Sequence, residues 1–186
     1  MRAFYFLFGF LIISCQNNPD LVNNFFSKDN FPIEVISDSK MIHTEDGIIK
    51  LQIDAKKIER YLGDSSRLDF SNGFNVNFYN NLGNITSNLS ALNAVVDEKN
   101  NIMIATDSVI LKSTDKKLET EILIWDQKKE KVYTDEDVVI TTANEVIYAQ
   151  GFISDPNFSD YTLKKISGKM YAVSYTHLTL PTNREV

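Results

Sequence analysis

The one cysteine of the chain, Cys15, closes the run Ile12-Ile13-Ser14-Cys15 and is followed by Gln16, Asn17 and Asn18. Aliphatic residues, a small residue and then cysteine form the pattern of a bacterial lipobox. At such a pattern an export signal is cut and the cysteine, now the N-terminus, is acylated. The apolar stretch before it, Ala3 to Ser14, holds 12 residues, whereas a bilayer-crossing helix needs about 20. Residues 1–14 therefore read as a signal peptide, and Cys15 as the point where acyl chains, each adding about 0.8 kcal/mol per buried CH₂, fix the protein to a membrane face. The alternative is an unmodified thiol beside a signal anchor.

Other chemistry-bearing residues are sparse. His43 stands with Glu45 and Asp46, but no second histidine is placed to help it, and a solvated turn is the simpler reading. One cysteine and two histidines do not make a zinc centre, which needs about three or four such ligands. No metal and no cofactor is expected. Trp125 and Tyr133 flank a turn, as core or rim aromatics do. Asn84-Ile85-Thr86 and Asn88-Leu89-Ser90 match a glycosylation pattern, yet in a chain with a bacterial lipobox they are strand and turn polar residues. There is no Gly-x-Ser-x-Gly elbow and no glycine-rich phosphate loop, so an enzyme is not expected. With 19 basic against 25 acidic residues the net charge is −6, which argues against a nucleic-acid partner.

The elements that must carry any site are strands. Apolar residues fall on alternate positions at Ile49, Leu51, Ile53 and Ala55, at Phe74, Val76 and Phe78, at Ile102 and Ile104, at Leu118, Ile122 and Ile124, and at Val138 and Ile140. Polar clusters centred near residues 82, 99, 115, 128 and 143 separate them as hairpin turns. Their spacing leaves strands of roughly 9–13 residues, or about 30–45 Å. Only Ala55 to Leu62 suggests a helical turn or two. A long-stranded antiparallel meander without covering helices must bury its apolar side against another sheet face or a ligand. Thr106 to Ile110 and Glu136 to Ile140 form a weak repeat, too short to indicate a solenoid.

From Ile85 to Met170 the parts follow a definite order. They begin with Ala94-Val95-Val96-Asp97, an aliphatic strand into Asp107-x-Val109-x-Leu111, and Leu118-x-Thr120-Glu121-x-Leu123-x-Trp125-Asp126. They continue through Lys131-Val132-Tyr133-Thr134 and Val138-x-Ile140 to Gly151-Phe152 followed by Asp155. This order of parts resembles the LptC family of lipopolysaccharide export proteins, and the likeness extends over roughly Ile33 to Tyr171. It implies an all-β fold, an open antiparallel β-jellyroll with a groove. Many members carry an N-terminal transmembrane helix where this chain has its lipobox. The resemblance further implies a carrier on the periplasmic face of the inner membrane. Such a carrier takes lipopolysaccharide from the LptBFG ABC transporter and passes it to an LptA-like bridge protein by strand pairing.

A groove for acyl chains needs inward aliphatic side chains, since an unpaired buried polar group costs about 1–3 kcal/mol. The candidates are Ile102, Ile104, Val109, Leu111, Leu118, Ile122, Ile124, Val138 and Ile140; the same residues could equally fill a closed core. Uncovered sheet edges invite a partner strand. Tyr161, Leu163 and Ile166 of the last strand are expected near the bridge protein, and Ile33 and Val35 of the first near the transporter. Residues 15–31 read as a tether and 32–173 as the jellyroll. Residues 174–186 (SYTHLTLPTNREV) resemble translated sequencing adaptor, a non-native tail. The competing function is a structural or surface β-lipoprotein that scaffolds other proteins around a closed core.

Overall fold

The structure, a computed structural model, describes residues 31–62 and 66–171. The signal peptide, Cys15, the tether as far as residue 30 and the 174–186 tail lie outside the described residues. The described residues form ten strands: β1 (Glu34–Glu45), β2 (Ile48–Tyr61), β3 (Arg67–Tyr79), β4 (Ile85–Ala91), β5 (Asn93–Asp97), β6 (Ile102–Ser113), β7 (Lys116–Asp126), β8 (Lys131–Thr142), β9 (Glu145–Ser154) and β10 (Tyr161–Tyr171). All pair antiparallel in one sheet of order β1-β2-β3-β4-β6-β7-β8-β9-β10, with β5 continuing the β4 position between β3 and β6. The polar clusters of the sequence are the hairpin turns. The β1–β2 turn shows why such residues sit there: Asp46 (φ 50°) and Gly47 (φ 76°) supply the two positive-φ positions of a tight hairpin.

One line of irregularity crosses the sheet from β1 to β9. In β1, Asp38 (φ 47°) lies opposite Lys56 of β2, and Lys56 opposite Asn72 and Gly73 of β3. Gly73 N donates to Leu92 O, between β4 and β5, and Leu92 N donates to Asp107 O of β6. The register then breaks between Thr106 and Val109 in β6, between Thr120 and Ile124 in β7 and between Thr134 and Asp137 in β8, opposite Gly151 of β9 (φ 78°). Each bulge bends its strand and adds twist. Aligned bulges bend the whole sheet along one seam.

The bend folds the sheet upon itself. Phe78 shares a cross-strand row with Ser87 of β4 and, through it, Ser113 of β6, while Trp125 pairs with Met103 of β6. Those rows are ten residues apart along β6, roughly 33 Å in a flat strand. The rings nevertheless meet with centroids 5.0 Å apart. The strand segments on the two sides of the seam are thus two facing leaves, and the free ends of the leaves come together. The apolar side of the meander is buried against its own other half. Val76, Leu89, Ala105, Val109, Leu111, Leu118, Val132, Ile140 and Phe152 are fully enclosed between the leaves.

Two expectations are corrected. Ala55 to Leu62 holds no helical turn; through Tyr61 it is the second half of β2, paired with Glu34–Ser39 of β1 and with β3. The bulge at Lys56 sets the inward residues Ala55 and Ile58 three positions apart, a spacing that imitates a helix. The inward face of β6 and β7 is also not the one expected. In the second leaf the inward residues are Met103, Ala105, Leu123 and Trp125, which places Ile102, Ile104, Ile122 and Ile124 on the outer face, with Ile104 40% exposed. In β7 the bulge flips the alternation between Thr120 and Leu123; in β6 the even-numbered pair Ile102 and Ile104 simply faces away.

Candidate functional site

The structure divides the nine groove candidates. Val109, Leu111, Leu118, Val138 and Ile140 are fully buried at the centre of the fold, each packed within the core. Ile102, Ile104, Ile122 and Ile124 lie outside; Ile104 and Ile124 share a cross-strand row that continues to Tyr133 and Ile153, while Ile102 pairs with Asp126 and Ile122 with Thr106. No member of the set lines either of the two clefts described below.

One open cleft is at the free ends of the leaves. A cleft of about 840 Å³ lies between the outer halves of β1, β2 and β3 on one side and the β7–β8 turn on the other. That volume is within the range of about 300–1,000 Å³ usual for ligand sites. Its apolar walls are Leu51 and Ile53 of β2, Phe78 of β3 and Trp125 of β7. Leu51 and Ile53 are half-buried, because among the described residues the sheet ends at β1 and nothing covers them from beyond that edge. Phe78 and Trp125 join the leaves edge to face, with ring planes at 80°. The rim is charged, with His43, Lys50, Lys129 and Lys131 alongside Glu45 and Glu130. Lys50 Nζ donates to Asn81 Oδ1 at 2.8 Å, and Lys129 Nζ is paired with Asp126 at 2.8 Å. His43 lies on the exposed hairpin strand, its Nε2 3.4 Å from Glu45.

The far wall of the cleft is the β9–β10 connection, which contributes Asp155, Pro156 and Asn157. It leaves and re-enters the second leaf, where Ser154 pairs with Tyr161, and reaches across to the tips of the first. Ser87 Oγ of β4 donates to Pro156 O at 2.5 Å, Thr86 Oγ1 donates to Asn157 Oδ1 at 2.6 Å, and Lys116 Nζ of β7 donates to Ser159 O at 3.1 Å. Asp155 organises the loop by accepting from Ser159 N at 2.9 Å and Ser159 Oγ at 2.7 Å. Burial pushes the Asp155 carboxyl up, but the bonds from Ser159, with further ones from Ser154 and the Asp160 amide, outweigh it and hold the group below its usual range.

A second cleft, of about 560 Å³, lies at the β1 end of the seam around Ser39, Ala55, Gly73 and Phe74. Ser39 Oγ is buried there without a hydrogen-bond partner.

The edge strands are β1 and β10, the two ends of the strand path. Ile33, Val35 and Ile166 are exposed, Ile166 to 64%, while Tyr161 and Leu163 are half-buried against the core. Ile33 just precedes β1, its amide donating to Arg60 O at 2.8 Å. β10 carries its own irregularity between Ile166 and Gly168. Sequence reasoning missed Leu51, Ile53 and Phe78 as cleft residues. Their alternation was visible, but their openness depends on where the sheet ends and folds. Among the described residues no three His, Cys, Asp or Glu side chains gather as a metal site, and no helix is long and apolar enough to cross a membrane.

No curated protein matches the chain significantly. The family described as "Lipopolysaccharide-assembly, LptC-related" matches residues 27–166, about three-quarters of the chain and nearly all of its strands. A folded all-β sheet with a cleft between its leaves, matched over that length, makes this chain a member of the LptC-related family, which serves lipopolysaccharide transport in the periplasm in association with the inner membrane.

Proposed function

We propose that this protein is a lipid-anchored carrier, held at the periplasmic face of the inner membrane through Cys15. It accepts lipopolysaccharide acyl chains from the LptBFG transporter into the cleft between its leaves and passes them to an LptA-like bridge protein. The observation that carries this reading is the cleft walled by Leu51, Ile53, Phe78 and Trp125. It offers apolar surface to a chain where the free ends of the two leaves meet. Each methylene taken from water into such walls is worth about 0.8 kcal/mol. The outer edge of β10, which among the described residues pairs with β9 alone, provides backbone groups for a bridge strand, and β1 provides the same on the transporter side.

The enclosed centre, Val109 to Ile140, favours a second reading in which the core binds nothing and the chain is a scaffold. Uptake of a fluorescent apolar dye separates the two. A carrier takes up the dye and loses it when Ile53→Asp places a charge in the cleft; a scaffold takes up none.

A further inference from the structure

We propose that the β9–β10 connection, residues 155–160, is a clasp that gates the cleft: displacing Phe158 lets an acyl chain run past the leaf tips toward strand β10. The inference rests on the carrier reading and adds to it a moving part and a limit on chain length.

Three observations converge on this loop. First, it is the wall at which the cleft stops, since Asp155, Pro156 and Asn157 line the cleft while Phe158, the next residue, is completely buried behind them. Second, Phe158 is not held as an ordinary core residue on a strand. It sits at φ 55°, a conformation sparsely populated by bulky side chains and one that persists only when its surroundings impose it. Its ring stands edge-on to Phe152 at 5.6 Å and to Tyr161 at 5.7 Å, under the Lys116 ammonium at 5.4 Å. Third, the bonds that hold the loop to the first leaf are few and lie at the leaf tips: Thr86 to Asn157, Ser87 to Pro156 and Lys116 to Ser159. Elsewhere the leaves are joined along the seam by continuous backbone. The tips are therefore the place where they can separate at least cost.

The loop also leads directly into the edge strand. Tyr161, the first residue of β10, stacks on Phe152 and touches Phe158. A chain that lifts Phe158 out of this cluster exchanges one apolar contact for another. It also loosens the start of the strand that the bridge protein would pair with. Filling the cleft and readying the β10 edge become one event.

Trp125 is the sole tryptophan in the chain and lines the cleft, so energy transfer from it to a dansyl-labelled fatty acid reports binding at this position. The full chain, kept in solution by an amphipol, is titrated with a short and a long saturated acid. The wild type is expected to bind the short acid readily and to gain little from the extra length. Phe158→Ala is expected to tighten the long acid about tenfold, the effect of roughly two further buried methylenes, and to move the short one less than about twofold. Thr86→Ala removes one clasp bond without touching the buried ring, and is expected to shift the long acid the same way by about threefold. It keeps the test decisive if Phe158→Ala fails to fold. Equal shifts for both acids, or none for either variant, overturn the clasp and leave the cleft standing. No transfer to any acid in any variant removes the carrier reading and the clasp with it.

Discussion

Phe78 of β3 and Trp125 of β7 stand edge to face at 5.0 Å across the fold, although β4 and β6 separate their strands within the sheet. This contact exists only because the sheet is bent along its seam, and it closes the leaves beside the cleft. Both side chains are about 5% exposed. Replacing either by alanine is expected to cost about 3–5 kcal/mol, and the double-mutant cycle is expected to show a coupling of about 0.5–1.5 kcal/mol. Urea denaturation of the two single variants and the double variant checks this. Full additivity would mean that the rings do not hold the leaves together.

The seam gives a second test. Gly151 sits at φ 78°, and a Cβ there would come 2.7 Å from Lys164 Cδ and 3.0 Å from its Cβ. Gly83 has nearly the same φ, 79°, but open space around it. Both alanine variants suffer the left-handed backbone penalty of about 1–2 kcal/mol. Gly151→Ala must also move Lys164, which reaches across β9 to bond to Asp135 of β8. Gly151→Ala is expected to be the more destabilising by about 1 kcal/mol in thermal or chemical denaturation. Equal losses would show that the seam tolerates a side chain on β9.

The strands and turns were legible in the sequence because alternation and polar turn clusters are local signals. Asn80 to Asn84 shows how such a turn is built: Asn80 Oδ1 accepts from Leu82 N at 2.9 Å and from Asn84 N at 3.0 Å. The bulges were not legible. A single extra residue flips the parity of all that follows, so Ile122 and Ile124 shared a parity with Leu118 yet ended on the opposite face. The Ile-x-Ile of Ile102 and Ile104 outshone the true inward pair, Met103 and Ala105, whose apolar character is weaker in print but sufficient at the narrow centre of the fold. The cleft was hidden for a further reason. It forms between residues as distant as Leu51 and Trp125, and no periodicity within one strand encodes where a sheet folds back.

The clasp loop has a pH dependence. Hydrogen bonds from Ser159 and Ser154 keep Asp155 ionised below the usual carboxylate range. A carboxyl depressed in the folded state contributes stability that is complete above its unfolded value, about 3.9. That contribution is lost as pH falls through the lower folded value. Wild type is therefore expected to exceed Asp155→Asn in stability at pH 7, with the gap narrowing below about pH 4. A gap that stayed constant from neutral to acid pH would show that the charge contributes nothing.

The two edges are expected to meet different partners. A photo-crosslinking residue at Leu163 or Ile166 of β10 should trap the bridge protein, and one at Ile33 or Val35 should trap the transporter. These positions lie at opposite ends of the strand path. Capture of the same partner at both edges would contradict the directional hand-over.

The most direct test of the carrier reading compares the inside of the cleft with the outer face. A photo-crosslinking amino acid is placed at Ile53, which lines the cleft, and separately at Ile124, which faces outward. Light-dependent capture of lipopolysaccharide in cells is then read for each. Capture at Ile53 and none at Ile124 is the predicted result. Capture at neither, or at Ile124 alone, would contradict a carrier that holds acyl chains between its leaves.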